Sequence, residues 1–304
     1  MAAAFSPDGA RVLTTFGSRR KAARLWRTDT GELERELLGH TDWLTAAVFS
    51  ADGNRVATAA QDGTVRLWDA ATGESLRMFA GHVGAVFSVA FSPDGARVAG
   101  GGGSFDPKAR VWDTRTGQLV RTFEEDAGHV RAVQFSPSGA ELLVGWEGGL
   151  LRLFDVASGR LNREIVVPAG FLHTAMFSPD GAFILTGESF PFFTARLWDA
   201  GSGEELRVFF GHTAPVNAVA FNARGNWILT GGDNVRLWDI SDLRARLRVA
   251  RGAGGLELRW AIGALQQADT VPGAWTTVPE ATSPWTVPLG RAAAFYRVAV
   301  PAAD

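Results

Sequence analysis

His40, Thr58 and Asp62 supply an imidazole, a hydroxyl and a carboxylate. In nucleophilic hydrolysis these groups serve as base, nucleophile and orienting acid. Trp68 follows them, and the set recurs at His212, Thr230, Asp233 and Trp238 with one residue fewer between hydroxyl and carboxylate. Elsewhere it is eroded. His82, Asp106 and Trp112 stand with Gly100 in the hydroxyl position; Thr186 and Trp198 stand without His or Asp. Val144 and Phe154 replace the hydroxyl and the Trp of a further copy, whose His129 sits closer to its strand, and Thr14 and Trp26 have no visible partners. A catalytic unit is not copied twice and left incomplete elsewhere, whereas a structural brace can be. The expectation is that no residue is catalytic, and that these groups satisfy one another inside the fold.

Other candidate chemistry is thinner. Gly100–Gly103 has the composition of a phosphate cradle, but no helix start follows it, so it reads as a flexible strand-to-turn segment. Each Asp-Gly turn offers a single carboxylate where a calcium cage needs about six to eight oxygens. The 5 histidines are scattered without metal-ligand spacing, so no metal and no cofactor are expected. Glu124-Glu125-Asp126 reads as a solvated edge.

The elements that must position these residues announce themselves as a beat. The phrase reads FSPDG at Phe5–Gly9, FSADG at Phe49–Gly53, FSPDG at Phe91–Gly95, FSPSG at Phe135–Gly139, FSPDG at Phe177–Gly181 and FNARG at Phe221–Gly225, in steps of 44, 42, 44, 42 and 44 residues. A period of this length means one supersecondary unit copied, each burying its apolar face against the next. In the second copy, Leu44–Phe49 alternates as a half-buried strand and Ala51-Asp-Gly53 is a tight turn. Arg55–Ala60, Thr64–Trp68 and Glu74–Phe79 supply three further strands. Four short antiparallel strands make a twisted blade.

Third strands close on Leu25-Trp26-Arg27, Leu67-Trp68-Asp69, Val111-Trp112-Asp113, Leu153-Phe154-Asp155, Leu197-Trp198-Asp199 and Leu237-Trp238-Asp239. With the Gly-His openings, these endings make the chain resemble the WD-repeat (WD40-type) family over residues 1 to about 250. The resemblance implies an all-β propeller of six recognisable four-stranded blades, at about 1–38, 39–80, 81–125, 126–167, 168–210 and 211–250. It also implies that His40, Thr58, Asp62 and Trp68, and likewise His212, Thr230, Asp233 and Trp238, are structural tetrads. Blades two and six should therefore be the most rigidly tied.

Composition excludes several classes. Formal net charge is −2 and basic residues are scattered, which argues against nucleic acid as a partner. No apolar run is long enough for a membrane helix, so no membrane insertion is expected. Cysteine is absent, which removes disulfides and thiolate metal sites. Lys21 and Lys108 are the only lysines among 30 basic residues, a bias attributed to a GC-rich genome.

The first copy opens on Met1–Phe5, the tail of a strand whose Gly-His half is missing, so the chain is expected to be a fragment of a longer repeat protein. Its incomplete first blade offers an edge for pairing with another chain. After Asp239 the beat stops; Leu243–Ala250 is expected to supply the outer strand of the sixth blade. Residues 251–304 resemble a small β-module at the end of many secreted bacterial multidomain proteins, which favours an exported or extracellular address, though no signal peptide is visible. Alternatively they fill a seventh blade position, the commoner count in the family.

Loops carry function on rigid scaffolds. In the resembled family, partners contact the face bearing the residues around the first-strand valine and the turn between second and third strands. By spacing from each repeat Phe, that face should carry Trp43, Phe87, Phe105, Arg131, Phe171, His173, Phe190, Phe192 and Phe193. This aromatic density points to a non-catalytic scaffold that binds a protein or peptide. The alternative is a carbohydrate-binding propeller of an exported bacterial protein, its rings stacking on sugars. An enzyme is the least expected reading.

Overall fold

Each copy of the beat folds as its alternation requires. A computed structural model describes residues 3–15, 21–125, 128–168, 170–244, 248–252, 255–259, 264–268, 276–277, 285–286 and 295–299. Blade one comprises β1 (Ala3–Phe5), β2 (Arg11–Thr15), β3 (Ala22–Arg27) and β4 (Leu33–Leu38). Blade two has β5 (Leu44–Phe49), β6 (Arg55–Ala60), β7 (Val65–Asp69) and β8 (Ser75–Phe79). Blade three has β9 (Val86–Phe91), β10 (Arg97–Gly102), β11 (Lys108–Asp113) and β12 (Leu119–Glu124). Blade four has β13 (Val130–Phe135), β14 (Glu141–Trp146), β15 (Leu150–Asp155) and β16 (Leu161–Val166). Blade five has β17 (Leu172–Phe177), β18 (Phe183–Glu188), β19 (Ala195–Asp199) and β20 (Glu205–Phe209). In each of these sheets the strands pair in sequence order. The sixth sheet holds β21 (Ala218–Phe221), β22 (Trp227–Gly231) and β23 (Val235–Asp239). The fold class is thus the expected all-β propeller of six blades.

The shortened start of blade one survives as β1, which pairs Ala3, Ala4 and Phe5 with Thr14, Leu13 and Val12. Among the described residues of Leu243–Ala250, none joins the sixth sheet as the expected outer strand. Asp239 Oδ1 accepts the Ser241 amide at 2.8 Å and opens one helical turn, α1 (Ser241–Arg244), with Leu243 buried. Beyond it, β24 (Arg248–Gly252) pairs with β25 (Gly255–Arg259), joined by β28 (Trp285–Thr286). A last sheet places β26 (Ala264–Ala268) between β27 (Thr276–Thr277) and β29 (Phe295–Ala299). Pro272-Gly273, Ser283-Pro284 and Asp126 lie outside the described residues. The chain divides into two compact units, Met1–Ala220 with Thr230–Arg236, and Phe221–Leu229 with Leu237–Asp304. No helix among the described residues is long and apolar enough to cross a membrane.

The core lies between blades. Leu13, Ala23, Leu25 and Leu37 of blade one pack on Leu44, Val56 and Trp68 of blade two. Val65, Leu67 and Phe79 meet Val86, Val98 and Trp112. Val111 and Phe123 meet Val133, Leu142 and Trp146, and Leu143, Leu153 and Ile165 meet Leu172, Ile184 and Trp198. Burial of these aliphatic and indole groups, at about 25 cal/mol per Å² of apolar surface, is what binds one blade to the next.

The repeat phrase has two jobs in this packing. Its serine hydroxyl bonds the aspartate two residues on and receives the amide five residues on, as in Ser6–Asp8 and Ser92–Asp94. Its glycine, at positive φ, lies over the proline of the preceding blade: a Cβ on Gly53 would sit 3.4 Å from Pro7, and one on Gly181 3.2 Å from Pro137. Where Ala51 replaces the proline, the guanidinium of Arg55 occupies the space against Gly95 instead.

A second inter-blade tie uses arginine. Arg35, Arg77, Arg121 and Arg163 share one register on the outer strands. They donate to backbone carbonyls of the next blade's turn: Ala71 at 2.9 Å, Thr114 and Thr116 at 3.2 Å with Arg115 at 2.7 Å, Ala157 at 2.8 Å and Ala200 at 2.6 Å. Arginine usage is therefore not compositional bias alone. A planar fork of several N–H groups spans three carbonyls, which a lysine ammonium does not.

Candidate interaction surface and buried braces

In blade two, Trp68 Nε1 donates to Thr58 Oγ1 at 2.8 Å, Thr58 Oγ1 lies 2.8 Å from His40 Nε2, and His40 Nδ1 lies 2.8 Å from Asp62 Oδ2. The Asp62 carboxylate is acceptor-only, so Nδ1 carries the imidazole proton and donates to it, and the bare Nε2 of the neutral ring accepts the Thr58 hydroxyl. Burial lowers the His40 pKa against the opposing pull of Asp62. Burial also pushes the Asp62 carboxyl upward. The Thr64 hydroxyl, the Thr41 amide and His40 outweigh it and hold the pKa below the usual carboxylate value. Thr58 is 0% exposed, so its hydroxyl is out of reach of any substrate.

Blade six repeats the arrangement, with His212 Nδ1 2.6 Å from Asp233 Oδ1 and Nε2 2.8 Å from Thr230 Oγ1. The His212 bond, with help from Thr213, lowers the Asp233 pKa to about 2. Blade three keeps His82 Nδ1 at 2.8 Å from Asp106 Oδ2, and Arg110 joins both. Gly100 leaves His82 Nε2 buried without a partner. In blade one, Trp26 Nε1 donates to Thr14 Oγ1 at 2.8 Å, so these two do find each other.

The Gly100–Gly103 run is packed inside the blade. Residues 100–103 are buried, with Gly100–Gly102 inside β10. A Cβ on Gly101 would stand 2.6 Å from Val130 and one on Gly103 2.8 Å from Phe87. Close packing explains the glycines. Gly102 belongs to a second-strand position occupied in successive blades by Ala60, Gly102, Trp146, Glu188 and Gly232. Where the brace histidine is present, the residue is small: a Cβ on Gly102 would lie 2.7 Å from His82 Nδ1, and one on Gly232 2.8 Å from His212 Nδ1.

Where that histidine is missing, the same position fills the gap. Trp146 is wholly buried in blade four and donates to Pro107 O at 3.0 Å. In blade five Glu188 accepts from Thr194 Oγ1 at 2.7 Å, Thr186 Oγ1 at 3.2 Å and Arg196 Nε at 3.1 Å, while Trp198 Nε1 reaches Thr186 at 3.1 Å. Burial raises the Glu188 pKa above the usual carboxylate value despite these donors. Motif reading missed both residues, although following the beat through this one column would have found them.

The turn between second and third strands, which also carries the brace carboxylates Asp62 and Asp106, is tied to the start of the first strand. Gln61 N donates to Trp43 O at 2.8 Å, Gly103 N to Ala85 O at 2.8 Å, Glu147 N to His129 O at 2.8 Å and Ser189 N to Phe171 O at 2.9 Å. This recurring bond gathers the expected contact residues onto one end of the blades. Phe105 is 89% exposed, Phe190 67%, Phe192 53%, Phe171 52% and Trp43 49%. Phe193 is half-buried at positive φ, its amide donating to Ser189 O. Phe87, Arg131 and His173 are half-buried. The Arg131 guanidinium lies 5.5 Å from the Phe87 ring centre and pairs with Glu147. Burial, then Arg131, depresses the His173 pKa, with a hydrogen bond from the imidazole to the Asn217 side chain opposing them.

Ser104, His129 and Glu147 come closest to a catalytic arrangement at this end. Ser104 Oγ is 2.7 Å from His129 Nε2, and Glu147 Oε2 is 3.5 Å from that same nitrogen. A relay needs the carboxylate at Nδ1, which here is buried and unpartnered. Among the described residues no group of three or more His, Asp or Glu is placed to hold a metal ion.

Residues 31–69, 73–113 and 203–239 match the WD40 family, described as "WD domain, G-beta repeat", each match ending on a Trp-Asp pair. Over 62 residues the chain is 40% identical to the serine-threonine kinase receptor-associated protein of Gallus gallus, covering 20% of this chain and 17% of that one. Over 50 residues it is 40% identical to the pre-mRNA-processing factor 19 homolog 2 of Arabidopsis thaliana, covering 16% of this chain and 10% of that one. The matched stretches thus span less than a fifth of these curated relatives. Three stretches of this six-bladed chain are thus similar to the WD40 repeat.

Proposed function

We propose that the chain is a non-catalytic platform that binds a protein or peptide across the face carrying Trp43, Phe105, Phe171, Phe190 and Phe192. The observation that carries this reading is the exposure of five large aromatic rings on tied turns at one end of the blades. Rigid presentation of such rings costs little ordering entropy on binding, and WD40 propellers are typically protein-interaction scaffolds. The tetrads act as internal braces, their threonine hydroxyls closed to solvent.

The segment from residue 251 onward serves as a small β-module, a reading supported by the described strands after Arg248, which pair among themselves in two three-stranded sheets. Its sequence resemblance to terminal modules of secreted bacterial proteins is the basis for an exported address.

The test is selection of binders from a displayed proteome peptide library by the wild-type chain, followed by rebinding to a Trp43→Ser, Phe171→Ser, Phe190→Ser variant. Binders held by the wild type and lost by the variant are expected. Binders held equally by both, or none at all, would overturn the reading.

A further inference from the structure

The exposed rings fall in two patches with a polar blade between them. The first patch spans blades two and three. Gln61 is tied to Trp43, Gly63 packs against backbone of His82 and Gly84, and the Phe105 ring covers Gly84. The second is on blade five, where Ser189 is tied to Phe171 and Phe190 and Phe192 project from the same turn.

Blade four separates them with His129, Arg131 and Glu147. It is coupled to blade three through Arg131 over Phe87, and to blade five through Leu172 N donating to Glu147 O at 2.9 Å. Two polar atoms of this stretch, Arg131 Nε and His129 Nδ1, are buried with no hydrogen-bond partner. Both atoms are closed to a docked chain as well as to solvent; what blade four presents is the partly exposed Glu147 carboxylate, which would repel an acidic side chain laid across it.

Stacked sheets lie about 10 Å apart, so two blade steps make about 20 Å. An extended chain covers that distance in about six residues. Resting on the platform reading above, we propose that this face takes an extended peptide with two large apolar side chains about six residues apart. Uncharged polar residues lie between them over Glu147, one apolar group on the Trp43–Phe105 patch and the other on the Phe171–Phe190 patch.

The experiment is fluorescence anisotropy of synthetic peptides with the full chain. Each peptide carries two Phe residues at separations from three to nine positions, filled with Gln and Ser. The expected result is tightest binding near a separation of six. Phe105→Ser and Phe190→Ser should each weaken it at least tenfold, and so should exchange of the central Gln for Glu. Both rings are exposed, and circular dichroism of the two variants checks that the fold is kept. Affinity indifferent to separation or to either substitution, or no binding by any peptide, would overturn the proposal. If library-selected binders still depend on Trp43, Phe171 and Phe190, only the two-anchor inference falls; if they do not, the platform reading falls with it.

Discussion

A Cβ atom on Gly102 would lie 2.7 Å from Nδ1 of His82 and 2.2 Å from the backbone oxygen of Asp106. In blade three the absence of a side chain here is therefore what leaves room for His82 beside the Asp106 carbonyl, whereas blade two carries Ala60 at the equivalent position next to His40. Gly102→Ala should destabilise the chain by about 2 kcal/mol or more, the usual cost of overfilling a packed interior. Chemical denaturation of the variant checks this, and an unchanged midpoint would contradict the space-sharing account.

Thr58 mediates between Trp68 and His40. Thr58→Val keeps the shape but leaves the indole N–H and His40 Nε2 buried without partners. Each unsatisfied buried group costs about 1–3 kcal/mol, so a loss of about 3 kcal/mol is expected by urea unfolding. A neutral outcome would mean that the blade does not depend on this chain of bonds.

Glu188 and Arg196 substitute for the histidine brace in blade five. Glu188→Ala removes one of the two carboxylates on a largely buried guanidinium that Glu205 still pairs, so the cost should lie at the low end for a broken buried pair, about 3 kcal/mol. Glu188→Gln retains the hydrogen bonding of Thr194 and should cost clearly less. Equal melting temperatures for the two variants would refute the ion pair as the brace.

Stability should fall on mild acidification. Burial keeps His40 and His82 below the ordinary imidazole pKa, while the unfolded chain takes up protons near pH 6.5. The stabilisation is present above that pH and is lost as pH falls toward the folded-state values. A lower urea midpoint at pH 5.5 than at pH 7.5 is expected, with a smaller difference in His82→Gln. Equal wild-type midpoints would overturn the assignment.

Arg77 donates to three successive carbonyls of the next blade. Arg77→Lys retains the charge and loses the fork, with an expected cost of about 1 kcal/mol from the lost hydrogen bonds. Hydrogen exchange at residues 114–117 should rise in the variant; unchanged protection would show that the tie is incidental.

Much of this fold was legible because its information is local and repeated. FSPDG specifies a turn whose serine and aspartate bond within five residues, and the alternation around it specifies strands. The contact residues were found by counting along the same beat, which works because every first strand enters its blade in the same register. Replacements were harder to read. Trp146 and Glu188 look like ordinary core and turn residues until the missing histidine of the same blade is seen as a volume that they occupy. Leu243 was read as a strand residue, but the Asp239–Ser241 bond turns the chain before a strand can start.

By itself the sequence determined the repeat and the blade, since each follows from spacing within one unit. The tertiary structure alone decided which groups share space or charge across units. Gly53 lies over Pro7, Arg77 reaches the turn after Asp113, and Arg131 is held between Phe87 and Glu147. Those pairings join residues far apart in the chain, and only the stacking of one twisted sheet on the next brings them within a few ångströms.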